Sequence, residues 1–378
     1  MNRLSFVLAL LGMLGLSVFI YFCYPNEWRR NRVFRVVVIL FHVLGVLGLA
    51  MVFTCYKNLP EPWKWTVSRW GTIYYVVTMF MSIFCAARLA VVFLVRRLGP
   101  KDGKRADGLM KTLQDGRVQS ALFLVVSFTV AVIGFIRIGE IRSTEYDITF
   151  AKPAAVRNLK VRLCADIHAG AGTWRMTYDD LRERLQEGDP DLILIAGDVF
   201  DETTSQTDVE YVRTVMESLH PRYGIYYVYG NHDDFREDWA AEQMRSMHVK
   251  VLEDEMIEIE GVQIIGRLDP KDNPMDLDQL WSFCAADETK PVIVLQHRPI
   301  EFRKLAEKKA DLVLAGHTHG FNIPQFMAVG MQSDMFYGRK QYGIMTAAVT
   351  SGVSAWGFHY KFPAFSEVVT LNLSFLPE

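Results

Sequence analysis

The stretch Leu312 to Gly320, LVLAGHTHG, ends an apolar run in two histidines one residue apart. A strand feeding a tight loop would aim both imidazoles at one point. Histidines at that spacing are common on polar faces, so the pair gains weight because the pattern recurs. VRLCADIHAG (161–170), DLILIAGDVFD (191–201) and GIYYVYGNHDD (224–234) end in clusters of Asp, His and Asn, and PVIVLQHRP (291–299) ends in one histidine. Five strand-like segments therefore each deliver metal-type ligands from their C-terminal ends.

Hard oxygen donors mixed with imidazoles, without thiolates, favour Mn, Fe, Zn or Mg. Asp166 and His168, two apart at a strand end, can coordinate one ion together. Asp198 follows a buried-type strand and Gly197, and its two oxygens could bridge two ions. Asn231 offers a carbonyl oxygen after Gly230, where the backbone can turn tightly. His297, His317 and His319 would complete two coordination spheres. Two divalent ions about 3.5–4 Å apart turn a bridging water into hydroxide near neutral pH and neutralise phosphoryl oxygens during in-line attack, so phosphoester hydrolysis is the natural use.

The elements that must hold these groups begin near Leu159. Short β-rich runs alternate with helical segments at Tyr178–Gln186, Asp208–Leu219, Phe235–Met247, Asp276–Ala286 and Glu301–Lys308, an α/β pattern. Further strands are expected at Met256–Ile259, Val262–Gly266, Gly343–Val349 and Glu367–Leu373. Hairpins among βα units suggest two packed sheets rather than a single parallel one. Of the five cysteines, Cys164 sits in a strand pattern, and no C-x-x-C pair signals a zinc ribbon or redox dithiol. A Cys164–Cys284 disulfide is conceivable on count alone.

The N-terminal part, residues 1–138, has a different character. Uncharged runs at 4–24, 36–56 and 118–136, with a third at 71–95 interrupted by Arg88, are each about the 20 residues that cross a hydrocarbon core. Four spans are expected, with Arg88 either at the headgroups or inside a helix that continues to Val95. Lys and Arg number eleven in the first and third loops and four on the opposite side, which places the basic loops in the cytoplasm and the C-terminal part outside it. Trp63, Trp65 and Trp70 in the second loop fit an interfacial belt. Residues 139–158, with Pro153, read as a linker to a domain over 159–378. The formal charge is +10 for residues 1–150 and −12 for the remainder, which disfavours nucleic acid as a partner of the C-terminal part.

Asp-x-His, Gly-Asp-x-x-Asp, Gly-Asn-His-Asp, a strand-end His and Gly-His-Thr-His, in this order across about residues 159–373, resemble the calcineurin-like metallophosphoesterase superfamily. The resemblance implies a four-layer αββα sandwich, here preceded by a bundle of about four transmembrane helices. It implies one metal held by Asp166, His168, Asp198 and His319 and another by Asp198, Asn231, His297 and His317, with manganese favoured among the divalent ions. It further implies His232 as general acid with Asp201 orienting its imidazole, and Asn231 and Arg298 as substrate contacts; Asp233 is a weaker candidate. GHTHG, YGRKQYG (337–343) and SGVSAWGFHYKFPAFSEVVTLNL (351–373) make the chain most similar to the membrane-associated bacterial branch and to transmembrane proteins with a metallophosphoesterase domain. The branch often carries Gly-Gly after the second histidine, whereas here Gly320 precedes Phe321.

The expected function is a membrane-anchored phosphoesterase acting on a phosphodiester or pyrophosphate of a small-molecule, lipid or cell-envelope substrate. The lipid bilayer of a bacterial cell membrane would be its surroundings, with the catalytic domain extracytoplasmic. Residues Phe321–Met335 could form an apolar lid or simply a packed loop. A non-catalytic binding or sensor protein on the same fold is the alternative, against which stands the presence of every motif side chain. A transporter role is poorly signalled, since the spans carry few internal charges beyond His42 and Arg88.

Overall fold

Uncharged runs that cannot stay in water without a partner fold here as helices. The computed structural model describes residues 3–98, 108, 111, 115–173, 175–233, 238–322 and 332–377, and the chain divides into two compact units, Met1–Ile133 and Gly134–Glu378.

The first unit contains α1 (Arg3–Cys23), α2 (Asn26–Arg30), α3 (Arg32–Cys55), α4 (Glu61–Leu98) and most of α5 (Arg117–Ile138). Among the described residues, three segments are long and apolar enough to cross a membrane, Arg32–Asn58, Trp63–Leu98 and Arg117–Ile138, and α1 contributes the shorter apolar stretch Val7–Cys23. Their outward faces are apolar: Val37, Leu40, Leu44 and Leu47 of α3 are each at least half exposed, a surface suited to lipid rather than water. Small residues let α3 and α4 approach closely, since a Cβ on Gly45 would collide with the Tyr74 ring. These helices and their chemistry identify a membrane-associated segment.

Of the two alternatives at Arg88, the structure has the continuous helix: α4 runs unbroken through it for 38 residues, about 57 Å at the α-helical rise, and Arg88 Nη1 donates to the Cys23 carbonyl at 3.1 Å. One expectation for this unit changes: α4 starts at Glu61, so Trp63, Trp65 and Trp70 lie on its first turns and not in a loop.

In the second unit, alternation fixes the layers. Along β3 (Leu192–Ala196), Leu192, Leu194 and Ala196 belong to one buried cluster while Ile193 and Ile195 belong to another, as the two-residue period of a strand requires. Strands β1 (Ile141–Pro153), β12 (Ser366–Leu376), β2 (Asn158–Cys164), β3, β4 (Ile225–Val228) and β5 (Lys250–Val251) form one sheet in that order. The other sheet runs β10 (Gly338–Tyr342), β11 (Met345–Val349), β9 (Leu312–Ala315), β8 (Val292–Leu295), β7 (Val262–Gly266) and β6 (Glu255–Ile259). Leu163, Leu194 and Val228 of the first sheet pack with Ile264, Leu295 and Leu314 of the second. The outer face of the first sheet is covered by α6 (Arg175–Gln186), α7 (Gln206–Glu217) and α8 (Trp239–Ser246), through Leu181, Val212 and Met244 among others. The second is covered by α9 (Leu277–Cys284) and α10 (Phe302–Glu307), through Leu280, Trp281, Phe302 and Leu305. The result is an αββα sandwich.

Strands β2, β3 and β4 are mutually parallel, as are β7, β8, β9 and β11. Their C-terminal ends therefore open along one edge of each sheet, where the ligand-bearing loops begin.

The segment 139–158 is not a linker. Ile141–Pro153 is a 13-residue strand paired in parallel with β12. It escapes a pattern search because it lies at the sheet edge and buries few side chains, chiefly Ile141, Ile148 and Phe150. Pro153 ends it at a position where the missing N–H costs little. All five cysteines are free; Cys164 and Cys284 lie in separate clusters on opposite sheets, so the conceivable disulfide does not form.

Candidate metal centre

Three of the ligand-bearing loops, those after β2, β3 and β9, leave their strands through an unusual backbone turn. Asp166, His168, Asp198, His317 and His319 all have positive φ, between 44° and 71°, a region that costs non-glycine residues on the order of 1 kcal/mol or more. The turns are held by hydrogen bonds between loops: Asp166 N–H donates to Gly197 O, and His168 N–H donates to Asp198 O, both at 3.0 Å. Gly230 is required for space, because a Cβ there would meet Asp198 Oδ1 at 2.1 Å. Strain concentrated on these side chains and absorbed by the surrounding network marks a functional constraint.

The strand ends bring the expected ligands into two groups. Asp166, His168 and His319 offer ligand atoms within 4.8 Å of one another, and so do Asp198, His297 and His317. Asp198 lies between them, with Oδ2 at 3.1 Å from His297 Nε2 and 3.6 Å from His168 Nε2. Asn231 Oδ1 reaches His297 Nε2 at 3.2 Å, and His317 Nδ1 faces the same nitrogen at 3.1 Å.

Acceptors fix the His297 and His319 rings through Nδ1, and His168 has a carboxylate beside its Nδ1 beyond hydrogen-bond distance. His297 Nδ1 faces Ala196 O at 2.7 Å, His319 Nδ1 faces Ser354 O at 3.2 Å, and His168 Nδ1 faces Asp201 Oδ2 at 3.6 Å. An imidazole whose one nitrogen donates to protein presents the other as a metal ligand. Among the described residues, both His168 nitrogens and Asp201 Oδ2 are buried without a hydrogen bond, a costly arrangement for polar atoms, and an ion at His168 Nε2 would supply the partner that nitrogen needs. The donor set therefore fits divalent metal ions, with Asp166, His168 and His319 grouped around one candidate position and Asp198, His297 and His317 around the other, where Asn231 Oδ1 lies beside His297.

Burial opposes charge on these groups, but neighbours decide the outcome. For Asp198, burial is outweighed by His297, His232 and His168, and the carboxyl is held well below its ordinary range. For His297, burial is likewise outweighed by Asp198 and Asp166, which raise the imidazole to about 10. A metal ion using Nε2 would displace a proton from that ring, so ion uptake should release protons and affinity should rise with pH. Titration calorimetry of chelator-stripped protein with Mn²⁺, in buffers of different ionisation heat, measures this directly; uptake without proton release would show that His297 is already neutral before the ion binds.

Other expected site residues are placed differently. Asp201 does not touch His232: its Oδ1 accepts from Thr203 N and Oγ1, and Oδ2 is directed at His168. The carboxylate at His232 belongs to Glu202, with Oε2 3.3 Å from Nδ1. The one-residue difference arises because the loop after β3 turns inward at Asp201, which is wholly buried, and outward at Glu202. Arg298 is engaged by Asp269 through Nε and Nη2 at 2.8 and 2.9 Å, so two of its nitrogens serve an ion pair and not a phosphate. Asp233 is a staple: its carboxylate accepts from Asp198 N, Gly230 N and Phe200 N, tying two ligand loops together. His220 and His248 lie at the surface, and His359 is a packed residue whose Nδ1 faces Gly172 O.

The segment after β11 contributes more than its motif content suggested. Ser354 N–H donates to Asp166 O, Ser354 O faces His319, and the Trp356 indole stacks on His232 with centroids 5.0 Å apart. Behind it the fully buried Lys361 donates to Ser351 O, Gly352 O and Phe365 O. A lysine within the aromatic run WGFHYKFPAF was the sequence signal for this. Lys271, whose Nζ donates to Asn231 O at 3.1 Å, also went unforeseen. The rim expected over Phe321–Met335 lies largely outside the described residues; Phe321 is exposed and pairs with Phe336.

The calcineurin-like phosphoesterase family model matches residues 159–321. The chain is 29% identical over 226 residues to an uncharacterized metallophosphoesterase of Helicobacter pylori strain J99, covering 57% of this chain and 60% of that protein. It is 25% identical over 349 residues to the transmembrane protein with metallophosphoesterase domain of Bos taurus, covering 84% and 76% of the two chains, and 25% identical over 369 residues to the protein of that name from Danio rerio, covering 91% and 81%. The chain thus spans less than two thirds of the Helicobacter relative, but most of the two vertebrate ones. With two ligand groups on converging strand ends of an αββα sandwich, residues 159–321 are a calcineurin-like phosphoesterase domain, carried by a chain that is similar over most of its length to transmembrane proteins with a metallophosphoesterase domain.

Proposed function

We propose that this chain is a membrane-anchored phosphoesterase that hydrolyses a phosphodiester or pyrophosphate bond with two divalent ions, manganese being favoured. The observation that carries this reading is the position of Asp198 between two buried ligand groups. When bound, such ions activate water and neutralise phosphoryl oxygens. Among the chain's own residues, Asn231 is a candidate to contact substrate as well as metal, and His232 is the proton donor to the leaving oxygen. His232 is well disposed for this: burial disfavours its charged form, but Asp198 and Glu202 outweigh burial and raise it above its ordinary value.

The substrate we favour is a lipid or cell-envelope phosphate, since the helices of the first unit would keep the enzyme at a bilayer. The asymmetry of Lys and Arg between loops supports an extracytoplasmic domain, and a reporter fused to the C-terminus that works only in the cytoplasm would reverse that orientation.

Detergent-purified protein should hydrolyse chromogenic phosphodiesters with Mn²⁺ and lose all turnover in chelator. The ratio of diester to monoester rates then narrows the substrate class. Protein that holds two metal ions per chain yet turns over neither ester would favour a binding role on the same fold.

A further inference from the structure

Beside the metal ligands, His232 of the Gly-Asn-His-Asp motif meets two side chains that the superfamily motifs do not account for, Glu202 and Trp356. Glu202 Oε2 is 3.3 Å from His232 Nδ1 and 3.1 Å from Trp356 Nε1. The indole and imidazole planes are stacked at 28° with centroids 5.0 Å apart. The three side chains come from the loops after β3, β4 and β11 and are only partly buried, which leaves them within reach of solvent. Asp201, one residue earlier, is turned away toward Thr203 and His168.

We propose that Glu202 and Trp356 are the positioning residues of His232, and that Asp201 instead orients the metal-ligand candidate His168. This rests on the phosphoesterase reading above. A glutamate side chain has several rotamers to choose from, and two hydrogen bonds converging on one oxygen hold it in place. Glu202 then fixes the ring by accepting from Nδ1–H, and the indole face stops the ring from rotating out of plane. With Nδ1–H held, Nε2 is the nitrogen that can exchange a proton with the leaving group. In the reaction, the oxygen of water forms a new bond to phosphorus and the bond from phosphorus to the leaving oxygen breaks. The departing electron pair takes the proton from His232 Nε2, and one proton of the water passes to solvent. The ring remains as the neutral Nδ1–H form, bonded to Glu202.

Proton donation matters most when the leaving group is poor, so the test varies the leaving group. The probes are aryl methyl phosphodiesters that release either 4-nitrophenol or unsubstituted phenol, assayed with Mn²⁺-loaded full-length protein in detergent. Glu202→Ala and Trp356→Ala should lower kcat for the phenol ester by roughly 10–100-fold, less than the roughly 10²–10⁴-fold that general acid catalysis contributes, because the acid itself remains and only its positioning is lost. They should leave KM, metal content and the nitrophenol rate nearly unchanged, and Glu202→Gln should restore part of the loss. Asp201→Asn should instead lower metal content and slow both esters alike. Equal losses for both esters in Glu202→Ala, or a selective loss confined to Asp201→Asn, overturns the proposal.

A second readout does not depend on turnover. A stacked imidazole quenches indole emission, so His232→Ala should brighten tryptophan fluorescence in chelator-treated protein, and should no longer do so on a Trp356→Phe background. No brightening overturns the stacked arrangement. Metal-loaded wild-type protein that hydrolyses neither ester, yet shows the brightening, would instead refute the phosphoesterase reading and with it the catalytic purpose of the cluster.

Discussion

Asp198→Asn is expected to reduce turnover by roughly 10³-fold or more and to lower metal content, because even groups one step removed from a metal cost about 10–100-fold when changed. Asp198 is the residue whose carboxylate reaches both ligand groups, with His297 Nε2 and His168 Nε2 at 3.1 and 3.6 Å from the same oxygen. An amide of equal size supplies one neutral oxygen where a carboxylate supplies two charged ones, so both positions lose their shared anion. Folding should survive the change, since the amide oxygen can still accept from His232 N–H, which now bonds Oδ1 at 2.8 Å. The measurement is metal content by mass spectrometry alongside the rate with a chromogenic diester. Full retention of two ions and of the rate would rule out a shared carboxylate at this position.

Lys361→Met should destabilise the second unit by roughly 1–3 kcal/mol, the usual penalty for leaving buried acceptors without their donor. The Lys361 ammonium is fully buried and donates to three main-chain carbonyls, Ser351 O, Gly352 O and Phe365 O. Methionine fills the same volume but leaves those oxygens without donors. The effect should reach the metal site, because Gly352 packs so closely on Asp166 that a Cβ on it would come within 2.6 Å of the aspartate Cβ. The nearby Glu367 is in a different position: four donors, Thr144 Oγ1, Tyr337 OH, Thr350 Oγ1 and Ser351 N–H, satisfy its carboxylate. Denaturant midpoint and metal content, measured together, test this. An unchanged midpoint would show that the loop is held by its other contacts.

Local pattern carried the metal centre a long way. The five apolar runs could be read because buried strands leave uninterrupted hydrophobic letters, and because metal ligands are restricted to few residue types at strand ends. The alternation of strand and helix, and the uncharged runs of the first unit, are likewise one-dimensional features. Strand β1 was hidden for the opposite reason. An edge strand with one neighbour and a mostly exposed face has no strong hydrophobic period, and residues 141–153 consequently look like a linker.

The sequence by itself determined which residue types could hold metal, in what order they occur, and that they sit at the ends of apolar strands after a set of membrane-type helices. Tertiary structure alone decided which carboxylate meets which imidazole. Asp201 and Glu202 are adjacent and both acidic, and only the direction in which the loop turns sends the first to His168 and the second to His232. It also decided that Trp356, some 120 residues beyond His232 in the chain, would lie on that ring, and that Lys361 would be buried behind Asp166. Such contacts depend on how distant loops converge, and no periodicity along the chain encodes the distance between side chains that meet only after the two sheets have packed.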